Sequence, residues 1–358
     1  MRYLIELTNI HNEKIKELIK RGKYQSIAAF IHTAIENQIY LENFSKEVLE
    51  LYSAQDKNKL NQLVIGDSVD LSILLSRDIG DIEIIKPPED NKIIFPSKKE
   101  GSDANTWVWG QVNKIFPLKV ALRVLGNMIK QSKKPTVDVN TFREKAAEVA
   151  REVGLKLSAI ERKEGRRRGE KVSAGLPIGE PEFKSKSRYK NHFLVSVRKD
   201  GILDGALARF KFINIEKEEK KENIGITEGG LKFASLENPI IDKEEYNISL
   251  SDEEKEFYLK YDATEIPGEY RAIRWMLSTI KKGVNRREYI NDALSKRYQE
   301  WTEAIVNTQR AGLMARMFEL DLLDREKSGV EVTYKISKRG GDILKMMEGE
   351  KDENLSHM

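Results

Sequence analysis

The chain contains no cysteine, which excludes a disulfide framework, a thiolate metal site and a cysteine nucleophile, and suits an intracellular protein. It has no apolar run of about 18 residues, so no membrane span is expected, and its N-terminus has the rhythm of structure rather than of a signal peptide. The four histidines, His11, His32, His192 and His357, are scattered without ligand spacing, and no glycine-rich loop ends in Lys-Ser or Lys-Thr, so neither a metal centre nor a phosphate-cradling loop is expected. Asp and Glu interleave with Lys and Arg as on solvated helix faces and single out no carboxylate cluster. Enzyme chemistry, metal and cofactor are therefore all expected to be absent. One-signed charge is scarce as well: 62 Lys and Arg against 58 Asp and Glu leave a net charge of only +4. Local clustering, not the total, must then carry any argument about nucleic acid.

At 358 residues the chain is too long for one small core and suits two or three domains. Residues 1–43 read as a module that cannot fold alone. Arg2-Tyr3-Leu4-Ile5-Glu6-Leu7-Thr8 alternates as a strand, with Tyr3, Ile5 and Leu7 on one face and Arg2, Leu4 and Glu6 on the other. A helix carrying Ile10, Ile15, Leu18 and Ile19 follows and ends at Arg21-Gly22-Lys23. Ser26 caps a second helix, whose inner side holds Ile27, Phe30, Ile31, Ala34, Ile35 and Ile39. A lone strand and one helical hairpin cannot satisfy their backbone or cover this apolar surface. A homodimer is expected, joined through Tyr3, Ile5, Leu7, Phe30, Ile31 and Ile35.

The strand ending in Leu7-Thr8, the Gly22 turn, and Tyr24-Gln25-Ser26 leading into Phe30-Ile31-His32-Thr33-Ala34-Ile35 resemble the ribbon-helix-helix DNA-binding proteins. In that family paired strands from two protomers enter the major groove. The resemblance implies Arg2, Leu4 and Glu6 as base readers and the backbone near Ser26 as a phosphate contact. Glu6 departs from that pattern, because a carboxylate facing a polyanion loses the electrostatic attraction that dominates affinity. A ribbon that reads DNA and one kept only for dimerisation both remain open.

Residues 44–105 read as a helical connector followed by a segment around Lys86-Pro87-Pro88-Glu89-Asp90-Asn91 that forms either a two-stranded ribbon or an extended tether. In residues 106–242, Pro117 starts a helix carrying Leu118, Ala121, Leu122, Leu125, Met128 and Ile129. A helix capped by Asn140 runs from Thr141 to about Glu152, and a β-hairpin carries a charged loop at Glu216 to Asn223. Helices followed by a polar-tipped hairpin make a winged-helix domain, and Ile226-Thr227-Glu228-Gly229-Gly230-Leu231-Lys232-Phe233-Ala234 resembles the wing-to-helix junction of archaeal and bacterial winged-helix regulators. Between these elements lies the most basic stretch, with Arg166, Arg167 and Arg168, then Lys184, Lys186, Arg188 and Lys190 beyond a Gly/Pro-rich loop. It is expected to follow DNA phosphates, with the arginine triplet in a minor groove; a solvated, disordered loop is the alternative reading of the same stretch.

Residues 248–347 repeat the architecture. Ser251 and Glu254 form a capping box, and helices follow over Tyr270 to Ile280, Arg286 to Lys296 and Glu303 to Glu319, the last two capped by Asn285 and Thr302. A hairpin has its tip at Asp324 to Gly329, and Ser337 caps a closing helix through Met347. Residues 348–358 read as a polar tail. The third helix of a winged helix is the usual groove reader, which nominates Asn307, Gln309, Arg310 and Arg316, with Arg325 and Lys327 on the wing.

The expected fold class is mainly α with small β elements: a ribbon-helix-helix dimerisation module and tandem winged-helix domains. The expected function is homodimeric, sequence-selective binding of double-stranded DNA in the cytoplasm, at the nucleoid, as a transcriptional regulator. A nucleoprotein factor for partition, replication or chromatin organisation is the alternative. A hub for protein partners is a further alternative.

Overall fold

The computed structural model describes residues 9–20, 26, 27, 30, 71–94, 106–218, 221–328 and 331–349. It is mainly helical with small antiparallel sheets. The chain divides into two compact units, Met1–Asp70 and Leu71–Met358. In the first, helix α1 spans Asn9–Lys20 and buries Ile15. Ser26 is exposed, its carbonyl accepts the Phe30 N–H at 3.0 Å, and Phe30 is half-buried. Ile27, expected on an inner face, is exposed in the single chain. Arg2, Tyr3, Leu4, Ile5, Glu6, Leu7, Ile31 and Ile35 lie outside the described residues.

The second unit is built around α3 (Phe116–Ser132), which follows the short α2 (Leu71–Leu74). Pro117 occupies its first turn, where a missing N–H costs nothing, and nearly all of its faces are buried. Lys119, Arg123 and Asn127 are spaced by four and line one side of the helix in the interior. Lys119 donates to the carbonyls of Phe233 (2.5 Å) and Leu236 (2.6 Å) and pairs with the equally buried Glu254 at 2.9 Å. Arg123 binds the Ala234, Leu236 and Leu75 carbonyls and the carboxylate of Asp242. Asn127 reaches the Leu74 and Ser76 carbonyls. This polar ladder stitches α3 to segments on both sides of it in sequence, and each buried cation has acceptors that offset its lost hydration.

Strand β1 (Val137–Asp138) leads into α4 (Val139–Lys163), capped by Asp138, whose carboxylate accepts the Thr141 N–H at 2.7 Å. The cap is Asp138 rather than Asn140, and the helix runs well past Glu152 because nothing in Arg151 to Lys163 disfavours it except one glycine. Next come α5 (Glu182–Tyr189), a π-helical turn over Lys190–Leu194, the small strands β2 (Ser196–Val197) and β3 (Leu203–Asp204), and the one-turn α6 (Ala206–Arg209). The hairpin β4 (Ile213–Glu218) and β5 (Lys221–Ile226) pairs antiparallel, with β1 on its other edge in the order β1-β5-β4. Helices α7 (Glu228–Ser235) and α8 (Pro239–Lys243) close this half. The segment from Ile79 to Ile94 is a tether rather than a ribbon paired on itself. Its Ile85 N–H donates to Ile226 O and its Ile94 N–H to Leu203 O, both at 2.9 Å.

The other half contains α9 (Asp252–Glu265), α10 (Pro267–Lys281), α11 (Arg287–Arg297), α12 (Glu303–Glu319), hairpin β6 (Leu323–Ser328) and β7 (Glu331–Ile336), and α13 (Lys338–Gly349). A bridge from Arg286 to Thr333 occupies the place that β1 holds in the first half. Arg286, not Asn285, precedes α11, and no side chain caps it. The two hairpin-to-helix junctions match atom for atom. The Thr227 hydroxyl donates to Lys211 O and accepts the Gly230 N–H; the Ser337 hydroxyl donates to Asp321 O and accepts the Gly340 N–H. Lys211 and Asp321 both have positive φ, and a Cβ on Gly230 or Gly340 would overlap the carbonyl of Phe212 or Leu322.

The halves interlock through residues 106–116. Trp107 is buried between Trp275, Tyr298 and Trp301, at ring separations of 5.3 to 6.3 Å. Glu319, at the end of α12, accepts the Ile115 and Phe116 N–H groups at 2.6 and 3.2 Å. A carboxylate from the far half thereby satisfies the orphan donors at the start of α3.

Candidate nucleic-acid interface

Residues 106–113 cross α12 at very short range, and glycine permits the crossing. A Cβ on Gly110 would overlap Thr308 O, and one on Gly312 would overlap Gly110 O. The Gly110 N–H donates to the Gln309 side-chain carbonyl. Arg316, fully buried, forms a fork on Glu269 at 2.7 and 2.8 Å and also binds Val112 O.

Beside this crossing opens a cleft of about 800 Å³. One wall is the loop at Gly175 to Gly179 together with α5 and its π-turn, which contribute Ser185, Arg188, Tyr189, His192 and Phe193; the other is α12 with the start of α11, which contribute Arg287, Asn307, Thr308, Arg310, Ala311 and Ala315. Gln111 and Asn113 lie along the crossing segment between them. Arg188 and Arg287 are exposed. Asn307 accepts from Asn291 at 3.0 Å and from Arg287 at 3.4 Å, while Arg310 donates to Asn291 Oδ1 at 2.8 Å. Two guanidinium groups are thus tied to neutral amides, and among the described residues no carboxylate lines the cleft. Burial, followed by the charge of Arg188, lowers the His192 pKa below its ordinary 6.5, so at pH 7 the imidazole is neutral. What the cleft offers is a concave, cationic surface with neutral polar groups between the charges.

No family model, curated protein or solved structure matches this chain.

The nominated residues fare unevenly. Asn307 and Arg310 line the cleft, the former half-buried and the latter buried. Gln309 and Arg316 do not face solvent: α12 is covered by residues 106–113, and both side chains serve that contact. Of the described side chains of the basic stretch, Arg188 alone reaches the cleft. Lys186 is paired with Glu182 at 2.6 Å and Lys190 with Glu144 at 2.5 Å. Lys184 is exposed, its ammonium over the Phe183 ring at 5.8 Å. Arg166 cannot extend into a groove as expected, because it is folded onto Glu164, Tyr246 O and Asn247. Arg167 is exposed and its N–H donates to Glu170 at 2.9 Å; the side chains of Arg168 and Lys327 lie outside the described residues. Arg325 is exposed on β6, stacked over Phe318 at 5.1 Å and against Gly169. The hairpins are longer than expected: Glu216 to Glu218 and Asp324 to Ser328 are strand, not loop.

Arg287 was missed, although the sequence carried a signal for it. An arginine at the first position of a helix opposes the helix dipole, so it needs a reason to be there. Among the described residues no group of His, Asp or Glu could hold a metal ion, and no helix is long and apolar enough to cross a membrane.

Proposed function

We propose that this chain is a homodimeric DNA-binding protein, acting as a transcriptional regulator, in which residues 1–43 pair two protomers and two winged-helix modules grip DNA. The repeated order of helix, short strand or bridge, helix, helix, hairpin and closing helix supports the module assignment. The observation that carries the binding role is the cleft, in which Arg188 faces Arg287 and Arg310 with no carboxylate among the described lining residues. Groups of one charge in a concave site concentrate their field and favour a polyanion. A surface used only for contact with ordinary proteins needs no such segregation.

Binding of the full-length protein to a duplex with a single-stranded tail, titrated with salt, tests this. Each phosphate neutralised contributes a slope of about −0.7 to −0.9 in log affinity against log salt. The double variant Arg188→Ala/Arg287→Ala is expected to weaken binding at least about tenfold and to flatten that slope by one to two phosphates. Absence of binding at low ionic strength, or a slope near zero, would remove the proposal.

A further inference from the structure

The cleft itself points to a narrower ligand. Resting on the DNA-binding role above, we infer that the strand seated between Arg188 and the Arg287–Arg310 pair is unpaired: a single-stranded or extruded stretch.

Beyond its first turn, where Glu303 and Ala304 are exposed, helix α12 offers little free surface to a major groove. From Gln309 to Glu319 only Ala311 is exposed, because residues 106–113 lie across the helix. A groove about 12 Å wide accepts a helix whose side chains are free to reach base edges, and here Gln309 and Arg316 are turned into the protein against residues 106–113. The cleft volume of about 800 Å³ falls in the range of small-ligand sites, roughly 300–1,000 Å³. That space suits a few nucleotides of one strand.

The lining chemistry agrees with an unpaired strand. Gln111 is exposed and Asn113 half-buried, and neither side chain makes a hydrogen bond among the described residues. Free amides both donate and accept, which matches the Watson–Crick edges that only unpaired bases present. The neutral imidazole of His192 and the guanidinium planes offer flat surfaces on which bases stack, while the arginine charges hold the phosphates.

The test uses full-length protein, fluorescence anisotropy and two probes of one sequence, a single strand of about 20 nucleotides and the matching blunt duplex, long enough for a site of some 4–16 nucleotides. Arg188→Ala/Arg287→Ala is expected to weaken the single strand at least about tenfold and the duplex less than about twofold. Ala311→Glu, which puts a carboxylate on the one exposed position of the α12 wall, is expected to do the same without removing a cation. Equal losses on both probes, or a wild-type protein that binds duplex but not the single strand, would overturn the inference and leave DNA binding standing. If neither probe bound, DNA binding would fall with it.

Discussion

Asp262 is fully buried on α9, and neither of its carboxylate oxygens has a hydrogen-bond partner. Burial, reinforced by the nearby charge of Glu269 and opposed by Arg316, raises its pKa well above the ordinary 3.8. The sign of the linkage follows from this. Folded protein holds this proton where unfolded protein has released it, so the contribution of Asp262 to stability is full below about pH 4 and is lost as pH rises through the folded value. One such proton corresponds to about 1.4 kcal/mol per pH unit. Asp262→Asn, nearly isosteric and unable to ionise, should therefore gain on the wild type as pH rises from 4 to 7, as read by urea midpoints across that range. A difference that does not change with pH would mean that Asp262 is ionised in the fold. Nothing around Asp262 in sequence marks it, because Asp-Ala-Thr-Glu reads as the end of a solvated helix. Its environment comes from Glu269 on α10 and Arg316 on α12, so only the packing of three helices reveals it.

Among the elements, α12 separates what local sequence can disclose from what it cannot. Its extent from Glu303 to Glu319 and its Thr302 cap follow from the residues themselves, as does the Ser251–Glu254 capping box of α9. Which face of α12 meets solvent does not, because its cover is a strip of chain roughly two hundred residues earlier, starting at Thr106. The hairpin lengths were hidden for a different reason. Glu216, Lys217, Asp324, Arg325 and Glu326 are exposed on their strands, so these strands carry the charges that ordinarily mark a loop. The crossing at α12 can be tested through its glycines. Gly312→Ala drives a methyl group into the Gly110 carbonyl and should cost about 1–3 kcal/mol, the usual penalty for overpacking. Gly341→Ala in α13 meets no atom within 4 Å and should instead stabilise by about 0.5–1 kcal/mol through helix propensity. Opposite shifts in the thermal midpoints of the two variants are the expected outcome; equal shifts would show that residues 106–113 do not press on α12.

At the scale of the whole second unit, the two halves share interior rather than surface. Trp107 belongs by sequence to the first half, yet its ring fills a pocket of Trp275, Tyr298 and Trp301 in the second. Lys119 on α3 is neutralised by Glu254 on α9, both fully buried, and Glu319 of α12 caps α3. Opening either half alone would strand a buried lysine or glutamate without its partner, a cost of several kcal/mol in each case. Modules joined by a flexible linker open independently, each with its own free energy, whereas modules tied through buried charge have no inexpensive partial opening. Native-state hydrogen exchange therefore should find the slowest amides of α3 and of α12 opening with the same free energy and the same dependence on denaturant. Gly312→Ala should lower both together. If α12 exchanged through a cheaper opening while α3 stayed protected, the arginines on the two walls of the cleft would not be held at a fixed separation. A rigid separation matters because a cleft whose walls move apart freely would spend part of its binding energy on ordering them, and would have no preference for a ligand of one width.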